Sequence, residues 1–452
     1  MPYLAKIILS LTSLTFFFGF GAFSLTSWQE KEKRATRLAL LVALVGSALF
    51  LGFTFLPAPF PQVAAGMVTL GVSSGLVLFC LPIGKVAHGQ DNPSQRVDER
   101  EIMFARAHLE PGSEKYIAYY ASHPQHKLED DKTRAKPGLL SPQARFANPY
   151  HFAATNASFF LTENLREAVD GPTAPERVSL PLKEMTTYMK DLAKFYGALD
   201  VGITKLEPRH VYSHIGRGTG TYGAQVSLPH TYAIAFTVEM DYEMVKSAPH
   251  PPLTMESGKE YVEAARVAVQ LAAAIRDLGY LARAHIDGNY RVIAPLVARD
   301  AGLGEIGRMT ILMTPRQGPR VRVGVVTTDL ELIPHKRKPN TAMLDFCNIC
   351  QKCANTCPSR AIPFGEREIN NNALRWKLNP DLCFRYWSTI GTDCGQCMSI
   401  CPFSHPDNWL HNFIRWGIQY SGFFRRVALR LDDFFYGKTN EMGEAPGWTK
   451  VE

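Results

Sequence analysis

The stretch FCNICQKCANTCP at residues 346–358 sets four cysteines two, two and three residues apart and closes on a proline. A second set follows at Cys383, Cys394, Cys397 and Cys401-Pro402. Eight of the nine cysteines therefore fall between 347 and 401, which is not how a secreted disulfide framework is spread. Three thiolates on one tight loop reach three irons of a cube, and the fourth, set apart near the proline, serves a neighbouring cube. On that logic one [4Fe–4S] cluster takes Cys347, Cys350, Cys353 and Cys401. The other takes Cys383, Cys394, Cys397 and Cys357, with an unusual ten-residue gap after Cys383. Zinc is the competing reading, but it favours two separate four-cysteine knuckles over one continuous run. Two cubes on one small fold lie on the order of ten ångströms apart by the reach of these loops. The C-terminal part is a wire.

A wire needs something to feed. Upstream of it, residues 182–196 carry helical periodicity, 201–206 and 232–240 read as strands, and 258–279 form an amphipathic helix ended by Gly279. GRGTGTYG (216–223) reads as a flexible loop and 320–330 as another β-rich run. Interleaved strands and helices from 181 to 338 predict an α/β or α+β sandwich. Gly302, Gly304 and Gly307 fit the GxGxxG dinucleotide pattern, but the preceding VIAPLVARDA reads as a helix where that motif needs a strand. The glycines are expected instead to let backbone approach another large flat ligand, with Arg308 and Pro319 beside them.

The first 86 residues differ in kind. Three runs, 7–25, 38–56 and 63–84, carry no charged residue, and each is long enough to cross a bilayer core of about 30 Å. A cleaved signal peptide is the alternative for the first run, although that run is long for one and two more follow. Lys31, Lys33, Arg34 and Arg37 lie between the first two runs, an uncharged turn follows the second, and Lys85, Arg96 and Arg100 follow the third. The positive-inside rule then places the first loop and the long C-terminal part in the cytoplasm, at an inner membrane crossed several times. Residues 88–181 are polar and punctuated by proline and glycine, and read as a linker with a loop-rich shell. A net charge of +7 without a dense basic tract speaks against nucleic-acid binding.

From about residue 98 to 437 the chain resembles the corrinoid-dependent reductive dehalogenases. The resemblance rests on DEREIMFARAHLEPGSEKYIAYY, EMDYE, AIRDLGY, AGLGEIGRMTILMTPRQGPRVR, the double cysteine motif, and CPFSHPDNWLHNFIRW with LDDFFYGK. It implies an α+β fold: a nitroreductase-like corrinoid-binding sandwich and a ferredoxin-like domain with two [4Fe–4S] clusters, here behind three fused transmembrane helices. The implied organisation is an anchor at 1–86, a shell at 87–180, a corrinoid domain at 181–338, an iron–sulfur domain at 339–411 and a helical tail at 412–452. The implied cofactors are base-off cobalamin and the two clusters, and no DxHxxG motif for a lower-ligand histidine is present, AHIDGNY being nearest. The implied reaction is R–X + 2e⁻ + H⁺ → R–H + X⁻ on an organohalide.

By that resemblance Tyr261 is the proton donor and Arg320 the cation beside it, with Arg322 as fallback. The third position falls to Asp287 or Asn289. Phe152, Phe159, Tyr212 and Tyr222 are candidate pocket aromatics, each also readable as core. Family members with a respiratory role carry a twin-arginine signal and dock on a separate membrane protein; here the spans are fused, so the electron donor is a ferredoxin, a flavodoxin or a quinol-linked protein. The related epoxyqueuosine reductases, and a membrane-bound iron–sulfur electron carrier without corrinoid, are the alternatives.

Overall fold

The computed structural model describes residues 2–84, 91–439 and 442–451. The chain divides into two compact units, one of residues 1–86, 341–350 and 406–444, the other of 87–340, 351–405 and 445–452.

The first unit is helical. Helices Pro2–Gln29, Lys33–Phe53 and Phe60–Cys80 are each long and apolar enough to cross a membrane. Ala35, Ala39 and Ala43 recur every four residues and are buried. Small residues at that spacing let helix backbones approach closely. A methyl at Gly46 would stand 2.3 Å from the Phe16 ring. Interhelical hydrogen bonds from Ser13 Oγ to the Ser47 carbonyl (2.8 Å) and from Ser24 Oγ to the Thr36 carbonyl (2.9 Å) join the first two helices. Helices Thr341–Cys350, Trp409–Tyr420 and Gly422–Tyr436 complete the unit, and the buried pair Arg425–Asp345 (2.6 Å) ties the first of these to the last.

The second unit is built on a four-stranded antiparallel sheet of β1 (Asp200–Lys205), β2 (Tyr232–Glu239), β3 (Ala282–His285) and β6 (Val321–Thr328), in the order β1-β2-β6-β3. The short strands β4 (Glu305–Ile306) and β5 (Leu312–Met313) form a separate hairpin. Because strand side chains alternate, each strand serves two cores. Ile203, Ile234, Phe236, Ala284 and Val326 face helices Leu182–Phe195 and Pro251–Asp277. Ala233, Ala235, Val321 and Val325 face helix Ala294–Asp300. The unit is a sandwich with helices on both faces.

Strands and helices predicted at 182–196, 201–206, 232–240 and 320–330 stand within a residue or two of their expected places. The stretch before the glycine motif is helical, Ala294–Asp300, so the dinucleotide fingerprint lacks its strand. Two expectations are corrected. The long helix starts at Pro251 rather than 258, because Pro251 and Pro252 occupy its first turn, where a missing N–H costs nothing. The 88–181 stretch is not a loop-rich shell: it holds helices Glu114–Ser122, Pro124–Arg134 and Pro149–Asn164. The last of these packs on the long helix at Gly258, where a methyl would stand 3.1 Å from Ser158.

Candidate active site

The N-terminal half of helix Pro251–Asp277 is the bracket of the site. Leu253, Thr254, Ser257 and Tyr261 fall at helical spacing, so they share one side. Thr254 Oγ1 donates to Asp393 (2.9 Å), and Ser257 Oγ donates to its other carboxylate oxygen. Gly395 fits against Leu253 so tightly that a methyl would stand 2.2 Å from it, and its φ of 59° is one that glycine alone adopts without cost. The loop that carries Cys394 is thereby pinned to the helix that carries Tyr261.

Arg322 approaches from the sheet. Its register partner is Val238, and it lies on the same face as Gly324 and Val326, under the long helix. Its Nη2 donates to Ser257 Oγ (2.6 Å) and lies 3.4 Å from Asp393, and its guanidinium stands 4.8 Å from the centre of the Tyr261 ring. Burial pushes the Tyr261 phenol above its ordinary range; Arg322 and Arg217 pull it back, while Asp287 and Asp393 push it up. Tyr290 is raised well above its usual value, again by burial first and then by Asp287 and Tyr261. The site is thus two phenols, two guanidinium groups and two carboxylates. Both phenols stay protonated at neutral pH. The hydroxyls of Tyr261 and Tyr290 and the buried Arg322 Nε have no hydrogen-bond partner among the described residues. Three polar atoms of one site are left for a ligand.

Arg320 is a correction to the expectation from sequence. It is 1% exposed, and its guanidinium donates to the carbonyls of Ser404 (2.6 Å) and Met240 and to Glu239 (3.0 Å). All three nitrogens are committed, and its ring neighbour is Tyr242 rather than Tyr261. Arg320 is a strut, and the cation over Tyr261 is Arg322. Replacing Arg322 by glutamine is expected to cost activity about thirtyfold, the equivalent of a desolvated cation–π contact of ~2 kcal/mol, with an unchanged melting temperature. Arg320→Gln is expected to lower the melting temperature instead, because it leaves buried carbonyls unpaired at about 1–3 kcal/mol each. Thermal melts and kcat/KM on the two variants separate the roles.

Asn289 is likewise turned inward. Its amide donates to the Arg166 carbonyl and to Thr219 Oγ1 (both 3.0 Å), and its oxygen accepts from Arg283 (2.9 Å). Asp287 is the member of the pair that both phenols sense. Tyr290 was missed by sequence reasoning, and its only signal was its place three residues beyond Asp287. His285 is wholly buried: its Nδ1 accepts from the Arg291 N–H (3.1 Å), which leaves Nε2 to donate to Thr327 Oγ1 (2.9 Å).

The expected flat-ligand cradle does not form as predicted. A methyl on Gly304 would stand 2.3 Å from the Met313 carbonyl, and Gly307 closes the turn between β4 and β5 through the Ile311 carbonyl (3.2 Å). Arg308 donates to the carbonyls of Pro363 (2.8 Å) and Gly365 (2.7 Å) over the Trp376 ring. Pro319 is buried beside Gly318, which abuts the Phe403 backbone. Gly302 alone has room, with His335 no closer than 3.8 Å, and its φ of 85° follows the end of helix Ala294–Asp300. These contacts hold protein to protein. Of the aromatics, Phe159 stands 6.2 Å from Tyr261, Phe152 is buried core beside Gly391, and Tyr212 packs in the second core. Tyr222 lines a cavity of about 250 Å³ with Arg166, Arg217, Gly218 and Gly288.

Among the cysteines, Cys347 and Cys350 belong to helix Thr341–Cys350 of the first unit, and the other six of the motif to the second. Burial pushes the Cys383 thiol up to about 12, with Cys357 adding to it. Burial likewise takes Cys394 up to about 12, with Cys383 and Cys357 contributing. Cys397 rises further by burial, and Cys394, Cys383, Cys353 and Cys357 add to it. Four thiols that sense one another in a dry pocket are a donor set for a thiolate-bound iron–sulfur centre. Cys357 acts on all three of the later cysteines, and Cys353 acts on Cys397 as well.

The 4Fe-4S dicluster domain family matches residues 346–405. The chain is 33% identical over 213 residues to a tetrachloroethene reductive dehalogenase of Desulfitobacterium hafniense, covering 45% of this chain and 38% of that one. It is 30% identical over 296 residues to the tetrachloroethene reductive dehalogenase of Sulfurospirillum multivorans, covering 58% of each. A solved reductive dehalogenase, described for B12-dependent dehalogenation, superposes with a TM-score of 0.64 at 25% identity, over 78% of this chain and 48% of that one. This chain is similar to the reductive dehalogenases over 45–58% of its length. It spans about two-fifths to three-fifths of the length of the curated relatives it matches. An epoxyqueuosine reductase of Listeria monocytogenes is more distant, at 27% identity over 24% of this chain. That similarity fits the cysteine set and the polar wall around Tyr261 and Arg322. A catabolic reductive dehalogenase of solved structure shares the fold, with a TM-score of 0.63.

Proposed function

We propose that this chain is a membrane-anchored reductive dehalogenase that replaces a halogen on a small organohalide by hydrogen, consuming two electrons and one proton. The observation that carries the reading is the Thr254–Ser257–Asp393 clamp, which sets the half-buried Tyr261 phenol against the loop of Cys394. When bound, cobalamin supplies the metal at which the carbon–halogen bond is reduced, and two [4Fe–4S] clusters supply its electrons. Everything else falls to the chain. Tyr261 Oη delivers the proton to carbon, and Arg322 stabilises the phenolate left behind. Ser257 and Asp393 hold the guanidinium in place through its Nη2. Burial first, with Asp287 adding to it, holds both the Tyr261 and Tyr290 phenols in the protonated form. With both nitrogens of His285 engaged by protein, no histidine of AHIDGNY is offered as a lower ligand, which supports base-off binding.

Metal analysis tests the reading. Protein made with cobalamin and purified without oxygen is expected to carry about one cobalt and about eight irons, and to release halide when reduced. Eight irons with no cobalt after reconstitution would make the chain an electron carrier. Asp287 at the phenols favours one second reading, an epoxyqueuosine-reductase-like activity, which epoxyqueuosine-containing RNA as substrate would reveal.

The three apolar helices support a place at a membrane, and the basic loop at Lys31–Arg37 favours a cytoplasmic catalytic domain served by a ferredoxin, flavodoxin or quinol-linked donor. Tethering keeps such a donor at high effective concentration. A reporter fused after Glu452 is expected to be active only as a cytoplasmic marker; periplasmic activity reverses the topology.

A further inference from the structure

Helix Trp409–Tyr420 is built inside out. Trp409, Phe413, Trp416 and Tyr420 recur at helical spacing and are 65, 55, 50 and 70% exposed. The face turned inward carries His411 and Arg415. A water-facing helix shows the reverse arrangement. A contiguous aromatic face of this kind marks a binding surface.

What covers it follows from what the helix touches. At its start, Asn408 Nδ2 donates to the Glu30 carboxylate (2.7 Å), and His411 Nε2 lies 3.0 Å from it. Glu30 directly follows the first apolar helix, Pro2–Gln29. Further along, the Trp416 ring stacks on Phe79 at 5.7 Å and 22°, and Phe79 is the penultimate residue of the third apolar helix, Phe60–Cys80. The first and third helices run parallel, with Ala5 and Leu9 of one packed near Ala64 and Ala65 of the other, so these two ends lie on the same side. From His411 to Trp416 the axis advances about 8 Å at 1.5 Å per residue, which is the spacing of two packed helices. The helix therefore bridges the ends of two spans, and its aromatic face continues their apolar surface. The next helix, Gly422–Tyr436, follows suit: Phe435 packs on Phe23 (4.7 Å), while Leu431 and Phe434 are exposed.

We propose that the Trp409–Tyr420 helix lies in the interface of the bilayer that the three spans cross, its aromatic stripe among the upper acyl chains. Indole and phenol rings suit that depth, with an apolar body in lipid and a polar edge at the headgroups. The partner is a lipid surface. The proposal rests on the three helices spanning the bilayer.

The test uses the full-length holoprotein in liposomes doped with phospholipid bearing a photoactivatable diazirine, placed either near the headgroup or at mid-chain. After illumination, peptides are mapped by mass spectrometry. Adducts on Trp409, Phe413, Trp416 or Tyr420 with the shallow probe, and at least fivefold fewer with the deep one, are expected. The three spans should react with both probes. Labelled spans with an unlabelled 409–420 stripe overturn the proposal. So does protein–protein cross-linking at the stripe that rises with protein density, which assigns it to a second copy. Unlabelled spans instead defeat the membrane reading itself. Hydroxyl-radical footprinting of the same liposomes gives an independent check, since free oxidation of Trp409 and Phe413 in liposomes is incompatible with lipid cover.

Discussion

Tyr261→Phe is expected to lower turnover by about 10²–10⁴-fold, the usual contribution of a positioned general acid, while cobalt and iron per chain stay unchanged. The phenol has an unpaired hydroxyl, and its ring packs against Arg322 on one side and Phe159 on another. Removing one oxygen changes little packing, so lost turnover reads out the proton and not the fold. The pH profile sharpens the test. Burial raises the pKa of Tyr261, so the acid form persists through neutral pH and its contribution fades only on the alkaline side. Arg322 lowers that pKa; Arg322→Gln must therefore move the alkaline limb upward while reducing the rate. Unchanged turnover in Tyr261→Phe would transfer the role to Tyr290, whose phenol faces the same carboxylate.

Cys357→Ser is expected to abolish turnover and reduce iron from about eight to about four per chain. The survivor should be the cluster of Cys347, Cys350, Cys353 and Cys401, because the spacing assigns Cys357 to the cube of Cys383, Cys394 and Cys397. Electron paramagnetic resonance gives the comparison directly. Cys357→Ser and Cys397→Ser should leave the same signal, and Cys350→Ser the other. If Cys357→Ser and Cys350→Ser leave the same signal, the crossed assignment fails.

The parts of the fold that read plainly from sequence are those decided locally. The β-branched runs at 201–206, 232–240 and 320–330 pack on both faces of the sheet, so their pattern survives any tertiary context. The helix at 149–164 carried a readable signal that went unused. Asn148 caps it by accepting from the His151 N–H (3.0 Å), and Pro149 follows at the first helical position. Its polar sequence hid it among loops. The glycines at 302–307 were legible as glycines, but whether a ligand or Met313 fills the space they leave depends on where the hairpin folds back.

The sequence by itself marked out eight candidate cluster cysteines and three helices long and apolar enough to span a membrane, because short loops limit where thiolates can reach and hydrocarbon thickness dictates apolar length. Only the tertiary structure decided the acid site. Arg320 and Arg322 stand two residues apart at the start of β6 and are alike in sequence; packing turned one into a strut for Ser404 and left the other over Tyr261. Asp287 and Asn289 were separated in the same way, by which side chain found buried partners in Arg166, Thr219 and Arg283. Asp393 and Tyr290 entered the site only through the long helix and the loops folded against it. Burial and neighbouring charge give these residues their chemistry, and both are properties of the assembled core rather than of residue spacing.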